Sequence, residues 1–258
     1  MLTLTPLSGL PLIQPGDDLS ALILQSLISN HRSLQTGDIL VLAQKIVSKA
    51  EGRRVYLSEV VPTPRAQSLA TQIEKDPRLV ELILQESREV LRTRPGLIIV
   101  EHRLGFVCAN AGIDHSNVEP SSSKDFNRSD EWVLLLPENP DASAERLRAK
   151  LEVETGTRIG IMIIDSHGRA WRNGTVGVAI GFSGLPGLVD LRGQPDLTGR
   201  ILQVTQVGAA DELAAAASLV MGQAAEGTPV VRVRGFPYAL REGSLQELIR
   251  PKEMDLFR

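Results

Sequence analysis

The chain carries a single cysteine, Cys108, among 258 residues. One thiol excludes a disulfide framework and a thiolate metal cage within the chain. Inside "LGFVCANAGI" it reads as a small buried apolar residue. Aromatic residues make up only 3%, which leaves few stacking platforms for single-stranded nucleic acid. Neither sign of charge dominates. The 28 Lys and Arg against 31 Asp and Glu give a net charge of −3, which argues against a broad nucleic-acid surface and still permits a local basic pocket. No apolar run reaches ~18 residues, so no membrane span is expected. The N-terminal "MLTLTPLSGLPLIQPG" has no charged n-region and no long apolar core, so it does not read as a signal peptide, and a soluble cytoplasmic protein is expected. Neither GxxxxGK[ST] nor GxGxxG occurs, so a P-loop or Rossmann assignment has nothing to rest on.

What is present is globular in character. Apolar residues are 42% and charged residues 23%, and the length suits one large domain or two small ones with a sizeable core. In "GDDLSALILQSLISNHRSL", Leu19, Leu22, Ile23, Ser26 and Leu27 share one helical face, with Asp17 or Asp18 as cap. Ile39 to Gln44 reads as a buried strand. The stretch "TPRAQSLATQIEKDPRLVELILQESREVLRT" reads as helical, broken near Asp76-Pro77. "GLIIVEHRLGFVCANAGID" reads as two short strands with a turn near Arg103–Gly105. The polar "EPSSSKDFNRSDEW" reads as a loop, either a connector or a lid. "DEWVLLLPENP" reads as a strand and turn, and "DASAERLRAKLEVETG" as a helix capped by Asp141 or Ser143. "RIGIMIID" is expected as a strand, and "GRILQVTQVGAADELAAAASLVMGQAAEG" as a strand and an alanine-rich helix ending near Gly222. "TPVVRVRGF" is expected as a strand, and "GSLQELIRP" as a short final helix. Strands and helices do not alternate as clean βαβ units. The expected fold is mixed α+β, with two packed subdomains and a discontinuous boundary.

Two apolar runs end alike. "GFVCANAGIDHSNV" ends on Asp114, followed by His115, Ser116 and Asn117, and "IGIMIIDSHGRAWRNG" ends on Asp165 and Ser166. An Asp at a strand end is a common turn residue. Two of them, each followed by hydroxyl or amide groups, also fit the oxygen donors that Mg²⁺ or Mn²⁺ prefers. In "AQKIVSKAEGRR", Lys45 and Lys49 have the even separation that puts both on one side of an extended strand, where they could grip an anion or simply form a solvated edge. In "SHGRAWRNG", Arg169 and Arg172 flank Trp171, with Asn173-Gly174 as the turn. They could hold a substrate acid group or be surface cations. His167 and His115 read as non-catalytic turn residues. The stripe Leu213, Ala216, Ala217, Val220, Met221 reads as a packed helix face, and its last turn brings Gln223 and Glu226 to a loop with helix-cap chemistry as the plain alternative.

Four ordered blocks, "GDILVLAQKIVSKAEGR", "GFVCANAGIDHSNV", "IIDSHGRAWRNGTVGVAIG" and "VTQVGAADELAAAASLVMGQAAEGTPVVRVRG", resemble the coenzyme F420:L-glutamate ligase family (F420-0:γ-glutamyl ligases), and the likeness runs over nearly the whole chain. The resemblance implies an α+β fold of two domains without a P-loop, and an intertwined homodimer. It implies a GTP-dependent ligase, with Mg²⁺ or Mn²⁺ and assisting K⁺, that joins L-glutamate to a carboxylate of the deazaflavin precursor F420-0. The route it implies runs through an acyl phosphate. By matching motif, Asp114, Asp165 and Ser166 take the family's metal positions. Leu10, Pro11, Leu12 and Ile13 take the nucleotide loop, Gln44, Lys49 and Asn117 further GTP positions, and Gln223 a metal or nucleotide position. Gln44 stands where the family's pattern expects a hydroxyl residue. The expected catalytic set is Asp114, Asp165 and Lys49, with no nucleophilic side chain because the nucleophile is a substrate carboxylate. The alternatives are the same chemistry on another acceptor such as a folate-like pterin, a metal-dependent phosphohydrolase, and a non-catalytic nucleotide-binding protein. No nucleic-acid or membrane partner is expected.

Overall fold

The computed structural model describes residues 1–115 and 131–256. At its centre lies a five-stranded sheet in the order β1 (Thr3–Pro6), β12 (Val230–Arg234), β2 (Ile39–Ala43), β8 (Gly160–Arg169), β9 (Arg172–Ser183). Neighbours are antiparallel except β2 and β8, which run parallel. Strand side chains alternate between faces, and both faces of this sheet are covered. Leu40, Leu42, Ile161 and Ile163 pack with Ile23 and Leu27 of α1 (Leu19–Ser29) and Leu147 and Leu151 of α5 (Pro140–Thr155). Ile39, Val41, Met162 and Ile164 pack with Leu213, Ala214 and Ala217 of α6 (Ala209–Met221). Burial on both faces explains why "ILVLA" is apolar throughout rather than alternating. Gly177 in β9 lets α6 approach closely, since a Cβ there would lie 2.5 Å from Ser218 Cβ and 2.6 Å from the Ala214 carbonyl oxygen.

Between β2 and β8 the chain builds further elements. Helix α2 (Gln44–Ala50) follows β2 directly. Strand β3 (Arg54–Tyr56) pairs with β7 (Trp132–Leu134), and Arg54 lies over the Trp132 ring at 3.8 Å. Helices α3 (Pro64–Ile73) and α4 (Pro77–Gln85) cover a second antiparallel sheet, β4 (Ser87–Arg94), β5 (Leu97–His102) and β6 (Val107–Ala109). A two-stranded pair, β10 (Val189–Asp190) and β11 (Gln206–Val207), closes an arm on which Leu197, Ile201 and Val204 are exposed. The molecule is thus mixed α+β. Among the described residues, no helix is long and apolar enough to cross a membrane.

Several sequence expectations hold. The cap at Asp18 is in place, the α3–α4 break falls at Asp76-Pro77, the Arg103–Gly105 turn joins β5 and β6, and α6 ends at Gly222. Others are corrected. "SREVLRTR" is strand β4, because pairing with β5 outweighs its helical propensity. Its charged residues suit the edge position it occupies. Asn139 caps α5, accepting from the Ala142 N–H, and Pro140 takes the first turn. "GRILQVTQV" contributes only Gln206–Val207 as strand. "GSLQELIRP" forms one short 3₁₀ turn, Leu245–Glu247, and a second, Lys252–Met254, follows it. The β8–β9 reversal falls at Ala170-Trp171, and Asn173-Gly174 lies within β9. Lys45 and Lys49 sit on helix α2, not on a strand, so their shared face comes from helical i, i+4 spacing.

Candidate active site

Three chain segments meet at one end of the central sheet, and strand pairing is the reason. Parallel pairing sets Ala43 opposite Ile164, so the residues that follow them, Gln44 and Asp165, emerge side by side. Ligands in open α/β sheets collect at such carboxyl ends. The antiparallel neighbour β12 begins at the same end, where the Ala43 N–H donates to the Pro229 carbonyl at 2.8 Å. The loop that follows α6 therefore arrives there too. Asp114 reaches this end by a fourth route. Its backbone exchanges two 3.0 Å hydrogen bonds with Leu134, just after the left-handed pair Asn110 (φ 50°) and Ala111 (φ 54°).

Around these segments lies a cavity of about 600 Å³, lined by Leu12, Gln44, Lys49, Asp114, Asp165, Ser166 and Gln223 among others. Gln44 is buried. Its Nε2 donates to Asp114 Oδ2 at 2.7 Å, and its Oε1 accepts from Ser48 at 2.9 Å, which fixes the amide orientation. Lys45 Nζ stands 3.5 Å from the same Asp114 oxygen. Burial pushes the Asp114 carboxyl up to about 6; the Lys45 ammonium opposes that rise and the Asp165 charge adds to it. The two carboxylates therefore feel each other electrostatically, although they lie 51 residues apart by number. Asp165 Oδ2 lies 3.1 Å from His167 Nε2, and the His167 ring packs on Phe106 at 5.2 Å. Ser166 donates to Gln223 Oε1 at 2.8 Å, and Gln223 Nε2 donates to Ser218 at 2.8 Å. Lys49 is half-buried, and its ammonium is held below the usual lysine range by burial, then by the charges of Lys45 and Arg54.

The oxygen groups lining the cavity include the carboxylates of Asp114, Asp165 and Glu226, the Ser166 hydroxyl and the Gln223 amide carbonyl. All are hard oxygen donors of the kind Mg²⁺ and Mn²⁺ take. Among the described residues no group of three or more His, Cys, Asp and Glu is placed to hold a metal. A nitrogen–sulfur cage thus has no basis here, while the oxygens of Asp114, Asp165, Ser166 and Gln223 are of the chemical kind a hard ion takes.

Of the expected nucleotide loop, only Leu12 lines the cavity. Leu10 packs partly against the core, Pro11 is exposed, and Ile13 is buried within the core. Asn117 and the polar stretch from 119 to 130 lie outside the described residues. His115 is exposed. Sequence reasoning undervalued two groups. Lys45, expected as an anion grip or a solvated edge, is a cation beside Asp114. His167, expected at a turn, is a buried strand residue 3.1 Å from Asp165 Oδ2. The signal for His167 lay in the length of β8, which continues four residues past Asp165.

Carboxylates, two lysines and an amide carbonyl on one concave wall make this cavity the candidate small-molecule site. Residues 9–235 match the family model described as F420-0:Gamma-glutamyl ligase. The chain is 47% identical over 259 residues to the coenzyme F420:L-glutamate ligase of Methanothermobacter thermautotrophicus, covering 100% of this chain and 99% of that protein. It is also 47% identical to the enzyme of that name from Methanopyrus kandleri (95% and 93% covered) and 45% identical to the one from Archaeoglobus fulgidus (98% and 95% covered). The chain belongs to the F420-0:gamma-glutamyl ligase family.

Proposed function

We propose that this protein is a GTP-dependent ligase that joins the amine of L-glutamate to a carboxylate of F420-0, adding γ-linked glutamate. The observation that carries this reading is the pairing of Asp114 and Asp165 on one cavity with Lys45 and Lys49 beside them. Phosphoryl transfer needs positioning and charge neutralisation more than side-chain nucleophiles, and this cavity supplies those. The acceptor carboxylate oxygen bonds to the γ-phosphorus, and GDP leaves with the bridging electron pair. The glutamate amine then attacks the acyl carbon, loses a proton, and displaces inorganic phosphate. In this reading Lys49 offsets charge that builds on the transferring group. Gln44 holds Asp114 in place and, with Leu12, borders the nucleotide. Asp114, Asp165, Ser166 and Gln223 would hold Mg²⁺ or Mn²⁺, which supplies charge neutralisation on phosphate oxygens, and K⁺ assists.

The arm bearing exposed Leu197, Ile201 and Val204 suits burial against a second copy, so a homodimer is part of the proposal. Incubation with GTP, MnCl₂, KCl, L-glutamate and F420-0, followed by mass analysis, tests the reading. A gain of glutamyl units on F420-0 is expected. Glutamylation of a pterin acceptor instead, or GDP release that needs neither glutamate nor acceptor, would contradict it.

A further inference from the structure

The β8–β9 hairpin does not stop at the cavity. Gly168 and Thr175, on its two strands, line the cavity wall, and beyond them the hairpin continues to its reversal at Ala170-Trp171. Three side chains stand at that tip. Trp171 is 89% exposed, whereas the other tryptophan, Trp132, is buried. Arg169 and Arg172 pair across the reversal and are both exposed. Arg169 Nη1 donates to the Gly174 carbonyl at 3.2 Å, which braces the tip. Trp171 adopts φ 64°, a left-handed conformation that bulky residues rarely take. In a chain where aromatics are 3% of residues, this exposed indole is flanked in sequence by two exposed arginines, on the hairpin whose first strand also carries Asp165 and Ser166.

We infer that the hairpin tip, Arg169, Trp171 and Arg172, is the binding site for the ring portion of the acceptor, which Trp171 stacks against while the arginines take its acid groups. The chemical class recognised is a planar fused aromatic carrying anionic substituents. An indole offers a flat face for such a ring, and guanidinium groups pair bidentately with carboxylate and phosphate. Gly168, on the cavity wall, precedes Arg169 directly and Trp171 by three residues, so a molecule with its carboxylate in the cavity can extend along the hairpin toward Trp171. This inference rests on the ligase reading above and extends it to the residues that select the acceptor.

The test is steady-state kinetics of the full chain on F420-0, with Trp171→Ala, Trp171→Phe and Arg172→Gln beside the wild type. Far-UV circular dichroism and light scattering are recorded for each variant. Trp171→Ala is expected to raise KM for F420-0 about tenfold or more, in the range of aromatic stacking losses, with KM for GTP and for glutamate within about twofold. Trp171→Phe is expected to recover most of the loss, and Arg172→Gln to raise KM for F420-0 alone. An unchanged KM for F420-0 in folded Trp171→Ala overturns the inference while leaving the ligase reading intact. So does a change in KM for all three substrates together with loss of a dimer, which would make the tip a contact between copies. Absence of wild-type turnover on F420-0 overturns the ligase reading and this inference with it.

Discussion

At Asp165, one carboxylate oxygen faces His167 Nε2 at 3.1 Å while the His167 ring leans on Phe106. His167→Phe keeps an aromatic ring against Phe106 and removes the polar partner of Asp165. Mn²⁺ affinity, read by electron paramagnetic resonance, is expected to fall about tenfold, the lower end of the effect of losing a group that orients a metal ligand. Affinity equal to wild type in a folded variant would show that Asp165 needs no such support. The two aspartates themselves were legible in the sequence, because each ends an apolar run and is followed by hydroxyl or amide groups. His167 was not, since "DSHGRAWRNG" carries turn residues that suggest the strand is over. Only pairing with β9 through His167↔Val176 shows that it continues. Lys45 was visible as a cation, but its partnership with Asp114 depends on a contact 69 residues away in the chain.

Helix α6 and strand β9 meet where Gly177 has no side chain, and that gap sets how closely the wall bearing Ser218 approaches the site. Gly177→Val must displace Ser218 or the Ala214 backbone. A stability loss of about 1–3 kcal/mol is expected from such overpacking, measured by urea denaturation, together with weaker metal binding through the Gln223–Ser218 hydrogen bond. The end of α4 gives a pH prediction. Burial works to raise the Glu86 carboxyl, but interaction with His102, hydrogen bonding from Arg103 and the charges of Arg103 and Arg53 overcome it and hold it at about 2. His102 Nε2 stands 3.7 Å away, too far for a good hydrogen bond, so the arginines at 2.7 and 3.2 Å carry most of the effect. A carboxyl with a folded value below its unfolded value of about 4.3 stabilises fully above that value and loses the contribution as pH falls toward 2. Glu86→Gln is therefore expected to flatten the acid limb of the stability curve between these values, measured by thermal melts. An unchanged limb would remove Glu86 from the account. At this scale most strands and helices were readable from apolar spacing, from a cap at Asp18 and from the break at Asp76-Pro77. Strand β4 was not, because its residues pair with β5 as an edge instead of following the helical pattern before them.

Across the whole molecule, the site exists because sheet order differs from chain order. Residues near 44, 114, 165 and 223 converge only because β2 lies between β12 and β8. No spacing in the sequence records that order. The family match over residues 9–235 takes in Gln44, Asp114, Asp165 and Gln223 together, which no short motif does. The exposed apolar arm yields a prediction at the same scale. Leu197→Asp with Val204→Asp is expected to convert a dimer to a monomer in light scattering, and a monomeric wild type would contradict it.

The central claim is that Asp114 and Asp165 make one cavity in which GTP cleavage is coupled to amide formation. The most direct measurement is the ratio of GDP released to glutamyl units added to F420-0, taken for the wild type and for Asp165→Asn under identical Mn²⁺ and K⁺. The account predicts one GDP per glutamyl unit in the wild type, no GDP without both acceptor and glutamate, and loss of both products in a folded Asp165→Asn. GDP released without amide formation, or Asp165→Asn turnover close to wild type, would contradict it.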